Sequence, residues 1–218
     1  IASGGFWAIK EPIKENYSGK KYTILELLKT VPSIIKSDRN LKYFILLKNI
    51  SGVGMMIFPF YIALAKERFG LSGQEIGNYL FFQIAGAVIS VKLWAIINKR
   101  FGYKHILALC LLMSTGLPFL ALYLGNLTPA WYTIIFFFSG FAASARGMSI
   151  EPVFISISTD ENRAMYAGVV GVSLIITALI PILGGFLIHN FGFTSVFVAA
   201  SFILLSGLPV LKNIRIKV

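Results

Sequence analysis

Three cations stand inside apolar stretches of this chain, Lys48, Lys92 and Arg146, and no other residues combine type and position so suggestively. A charge near the centre of a bilayer costs about 2.5–3.5 kcal/mol on insertion scales, which marks it as a functional candidate with a partner to be found. Lys48 lies six residues past Lys42 and Lys92 seven before Lys99, each roughly 10 Å from a membrane edge at 1.5 Å per residue, so both can reach the surface by snorkelling. Arg146 shares a helical face with Ser139, Ala142 and Ala143, small residues that turn toward protein rather than lipid. Its nearest carboxylate in sequence, Glu151, is five residues on, about 140° around a helix, so the partner must come from another helix, a solute or another part of the protein. A second polar face joins Tyr79, Gln83, Gly86, Ala87, Ser90 and Trp94, with Lys92 about 180° away. Asn49 shares a face with Gly52 and Met56. Asn49, Gln83, Ser139 and Arg146 are therefore the candidate solute-contacting residues, with the Gln83 face expected to line a path and Lys92 to point away from it.

Other chemistries find little support. His105 and His189 have no acidic cluster at metal-ligand spacing, so no metal site is expected. The single cysteine, Cys110, lies in an apolar run and reads as a buried small hydrophobe. There is no phosphate-cradling Gly-x-x-x-x-Gly-Lys loop and no serine in a Gly-x-Ser-Gly setting with a histidine at matching depth. No catalytic residue and no cofactor are expected.

The elements that would hold these side chains are membrane helices. With 218 residues, 56% hydrophobic and only 13% charged, at a mean hydropathy of +0.77, the apolar surface exceeds what one soluble core absorbs. A net charge of +11 raises nucleic acid as a partner, but the cations fall between apolar runs rather than on one solvated face. Six stretches of spanning length follow one another: 41–65, 73–97, 104–124, 129–156, 164–189 and 194–211. The expected fold is thus an all-α membrane protein with six transmembrane helices. Asp38 can cap the first span, Pro129 suits the first turn of the fourth, and Gly102, Gly125 and Gly192 separate spans. Residues 1–9 are too short to cross and are expected to be the tail of a preceding helix, followed by a Lys-rich linker over 10–40, with the six spans over 41–218. Within the linker, Pro32 predicts two short helical pieces on the membrane surface.

Charge in the connections predicts orientation. The linker, the Lys99-Arg100 turn, Arg163 and the Lys212 to Lys217 tail fall on one side, while the other side carries only Lys66, Arg68 and His189. By the positive-inside rule both ends are cytoplasmic. The Asn126-Leu127-Thr128 sequon is followed at once by Pro129 next to the membrane, and it reads as a chance match.

Read in order, the last third runs Ser139-Gly140-Phe141, Glu151-Pro152, Asp160-Glu161-Asn162-Arg163, Gly168, Gly171, Pro181-x-x-Gly184-Gly185, Gly192-Phe193 and Val196 to Ala200. This order resembles the last three helices of the major facilitator superfamily, secondary transporters with two six-helix halves. Trp94-Ala95-x-x-Asn98-Lys99-Arg100-Phe101-Gly102 resembles the family's cytoplasmic gating loop, with Ala95 and Asn98 where Gly and Asp are usual. Losing that Asp removes a carboxylate that in the family holds one conformation closed, so by this resemblance a gate here would use a neutral hydrogen bond or the copy of the motif in the other half. Pro181-x-x-Gly184-Gly185 resembles the tail of a motif associated with antiporters, without its upstream glycines, and its stripe with Ser173 and Thr177 suits helix packing. The resemblance implies the C-terminal half of a transporter that carries a small solute across the plasma membrane by alternating access. Its partners would be membrane lipids, an N-terminal six-helix half and the solute, with no nucleic acid. The competing reading is a complete six-helix channel or an assembly subunit.

Overall fold

The computed structural model describes residues 24–215, and every regular element there is a helix: α1 Ile24–Ser37, α2 Arg39–Met56, α3 Phe58–Phe69, α4 Gly73–Phe101, α5 Tyr103–Leu124, α6 Pro129–Ile157, α7 Arg163–Ala178 and α8 Ile180–Lys212. The expected helix tail at residues 1–9 and the start of the linker lie outside the described residues. α1 corrects one expectation, because Pro32 sits inside a single continuous helix rather than between two. The proline removes only the hydrogen bond to the Leu28 carbonyl, and its exposed position lets water take that carbonyl up.

Local chemistry sets the span ends. Asp38 caps α2 by accepting from the Leu41 amide at 3.0 Å, and its other carboxylate oxygen accepts the Tyr166 hydroxyl at 2.6 Å. Ser72 and Glu75 form a reciprocal capping box at the start of α4, and Pro129 occupies the first turn of α6. α2 and α3 form one apolar run, Arg39–Phe69, broken at Ile57 just ahead of Pro59. The proline could not supply the amide needed to continue the α2 ladder.

The last apolar run, Arg163–Lys212, is 50 residues long. A straight helix of that length would reach roughly 75 Å, more than twice the ~30 Å of hydrocarbon. Gly192 resolves the excess with a non-helical φ of 74° and ψ of 170°, nearly the conformation of Gly102 between α4 and α5, at 79° and 171°. Such positive φ values fall where residues with a Cβ are strained. Contacts with α2 and α3 show the reversal. Going up the first arm, Ser173 meets Asn49, Thr177 meets Gly52 and Gly184 meets Phe60. Going along the second arm, Phe197 meets Tyr61 and Gly207 meets Ile50, so this arm runs the opposite way. The described residues therefore cross six times, as the sequence predicts for them.

One end of the bundle collects the starts of the first, third and fifth crossings and the end of the sixth. There Asn40 bonds the Arg215 backbone, Lys104 Nζ donates to the Ile214 carbonyl at 2.9 Å, and Asp38 holds Tyr166. This is also the basic end. The closest helix pair is α4 with α6, where Gly86 lies on the Phe137 carbonyl and Gly140 on the Gln83 carbonyl, backbone against backbone. Without side chains between them, two helices gain dispersion along their whole length, the main source of association where both are already in lipid. Beside this contact Tyr79 stacks on Phe136 with centroids 4.5 Å apart, and the Tyr132 hydroxyl donates to the Tyr61 carbonyl at 3.0 Å. Large apolar side chains such as Phe81, Ile84 and Val88 on α4 and Ile176, Ile182 and Phe186 on α7 and α8 face outward, the expected inversion for a protein solvated by lipid.

Candidate functional site

Arg146 sits on α6, eleven residues before Ile157 and so roughly 16 Å along the helix from that end. Its Nε donates to Ser51 Oγ at 3.2 Å and its Nη2 to the Lys48 carbonyl at 3.4 Å, both on α2. Ser51 in turn donates to that same Lys48 carbonyl at 3.1 Å. The small residues Ala142 and Ala143 let α6 come close enough for this reach. The sequence leaves open whether Arg146 finds a helix or a solute; the helix it finds offers only neutral acceptors.

The carboxylate within range goes to another cation. Lys48 Nζ lies 3.4 Å from Glu151 Oε1, and Lys48 also lies 5.9 Å from the centre of the Phe44 ring. Lys48 is thus paired across helices rather than snorkelling alone, a link 103 residues apart in sequence that spacing could not reveal. Among the described residues Arg146 makes no ion pair. Two cations and one carboxylate leave this membrane-depth cluster with one excess positive charge.

Arg146 borders a crevice with Ser51, Ser114, Ser139 and Cys110 that has about 20 Å³ of space, enough for one water. Ser139 is buried there, its hydroxyl donating to the Phe136 carbonyl at 2.7 Å. Asn49 stands apart on another side of α2: its amide donates to Ser173 Oγ at 3.1 Å and accepts from Thr177 Oγ1 at 2.6 Å, joining α2 to α7. On the Gln83 face, Tyr79, Gly86, Ser90 and Trp94 are buried against α6, and Gln83 itself is half-buried at the edge of that helix contact. Small residues admit a second helix as readily as a solute, and periodicity does not distinguish the two. Lys92 is exposed on the side away from α6.

The remaining sequence candidates sit as follows. Asn98 is half-buried near the end of α4, and its side chain makes no hydrogen bond among the described residues, while Lys99 and Arg100 are exposed and Gly102 makes the turn. Gly184 lies against the Phe60 ring, 2.6 Å from where a Cβ would stand, and Pro181 begins the same helix. Gly185 faces open space. Sequence reasoning missed Ser51, whose only signal is its position three residues after Lys48, and the role of Glu151 as the lysine's partner.

Six helical crossings among the described residues, with a partly neutralised cation cluster between them, define a multi-pass membrane protein. The family model of the Major Facilitator Superfamily matches residues 44–214, and the chain belongs to that superfamily of membrane transporters. Comparison with curated proteins returns no match.

Proposed function

We propose that this chain is the C-terminal half of a secondary transporter that moves a small solute across the plasma membrane by alternating access, the solute binding near mid-depth between two six-helix halves. The observation that carries the reading is the half-buried Arg146, held at membrane depth by neutral groups beside an exposed Gly147 and Met55. A guanidinium there is costly unless a partner completes its shell, and a solute group can do so once per cycle. Reconstituted alone, the chain is expected to show no uptake of small anions into vesicles, and uptake should appear only when an N-terminal six-helix half is supplied. Robust uptake by this chain alone would support the channel reading instead.

Orientation belongs to the same proposal, with the basic end cytoplasmic. Single cysteines at Lys36 or Lys99 should resist an impermeant thiol reagent added outside intact cells, and one at Asn126 should be labelled within minutes. External labelling at Lys99 would invert the assignment, since short-loop Lys and Arg set membrane orientation.

A further inference from the structure

At the basic end, away from Arg146, a groove of about 1020 Å³ opens between the α4–α5 turn, the end of α6 and the end of α8. Its lower wall is apolar, with Phe101, Val153, Ile155 and Ile214, and its rim carries Lys104, Lys212 and Arg215. Phe101, Tyr103 and Ile155 are exposed along it, which puts aromatic and aliphatic surface where hydrocarbon gives way to headgroups.

The charge on this rim is uncompensated. Among the described residues no carboxylate lines the groove; the nearest in sequence, Glu151, is taken by Lys48, and Asp160 pairs with Arg163 at 2.9 Å. Lys104 gives two donors to the Lys212 and Ile214 carbonyls at the end of α8 and retains a third. That arrangement fixes one ammonium at the mouth, with Lys212 and Arg215 exposed beside it. A phosphate suits such a rim because each of its oxygens can accept several charged donors at once. A free phosphate would use the rim and leave the apolar wall in contact with nothing that prefers it; a phospholipid uses both.

We infer that this groove binds the headgroup of an anionic phospholipid, the phosphate between Lys104, Lys212 and Arg215 and the upper acyl carbons against Phe101, Tyr103 and Ile155. Basic pockets between helices at a membrane surface select anionic over zwitterionic lipid through a charge that the latter cancels within its own headgroup.

Native mass spectrometry of the full chain in detergent, titrated with phosphatidylglycerol and with phosphatidylcholine, tests this. Phosphatidylglycerol should be retained at least tenfold better. Lys212→Gln with Arg215→Gln should weaken its retention about tenfold or more, whereas Lys36→Gln with Lys42→Gln, an equal loss of charge at the same end but outside the groove, should change it less than twofold. Equal losses in the two double variants would mean diffuse attraction and overturn the site. Glycerol 3-phosphate binding as tightly as the lipid would overturn the lipid assignment in favour of a free phosphate. Equal, weak retention of both lipids would overturn the site as well. Circular dichroism of each variant checks that the helices remain, so a loss of retention reports binding and not unfolding.

Discussion

Gly140→Ala is expected to destabilise the bundle by about 2–3 kcal/mol, lowering the melting temperature in detergent by roughly 5–10 °C. The added Cβ would meet the Gln83 carbonyl and stand 2.8 Å from the Ala87 amide nitrogen, so α4 and α6 would have to separate. Backbone atoms cannot rotate out of the way as a side chain can. Separation would also pull the Tyr79 ring off Phe136 and lengthen the Tyr79 bond to the Pro129 carbonyl, now 3.1 Å. Gly147→Ala, seven residues along the same helix, meets nothing within 4 Å and should be neutral or stabilising by up to about 1 kcal/mol, because alanine is the better helix former. The opposite signs at two glycines of one helix make the comparison independent of helix propensity. Equal melting temperatures for the two variants would show that α4 and α6 do not touch as described.

Arg146→Ala should weaken binding of an anionic solute by roughly 30- to 100-fold in the full transporter, the range of two lost charge-assisted hydrogen bonds. Arg146→Lys keeps the charge but loses the planar fork, and it should fall nearly as far. The fold should tolerate both changes, since Ser51 already donates to the Lys48 carbonyl and neither acceptor carries a charge to strand. Lys92→Ala, on the exposed side of α4, should stay within about twofold. Tracer counterflow in vesicles with a panel of small carboxylates, phosphate and sulfate would measure it. Unchanged affinity in Arg146→Ala with a large loss in Lys92→Ala would assign the path to the other side of α4.

The parts of this structure that depend on near neighbours were legible in the sequence. Asp38, Pro129, Gly102 and Gly192 act within a turn of where they stand, and apolar length together with the Gly192 break marks six crossings. What the sequence withheld depends on which helices meet. Arg146 could be seen as a cation lacking a same-face carboxylate, but Ser51 and Lys48 became its neighbours only when α2 lay beside α6. Gly86, Ala87 and Ser90 on the Gln83 face are small, a property that a cavity wall and close packing of α6 need equally, so the α6 contact was not legible there. Pro32 misled in the other direction: one lost hydrogen bond at an exposed site bends a helix more often than it ends one.

The two interrupted crossings lie side by side and are interrupted at the same height. α2 gives way to α3 at Ile57, α7 to α8 at Leu179, and Ile57 and Ile180 line one apolar cleft of about 180 Å³ between them. Below that level Asn49 rivets the pair together through Ser173 and Thr177, while above it Gly184 merely rests on the Phe60 ring. The upper half of the first crossing is fastened elsewhere, because the Tyr61 carbonyl of α3 accepts the Tyr132 hydroxyl of α6 at 3.0 Å, so above the two breaks these neighbours part company in what holds them.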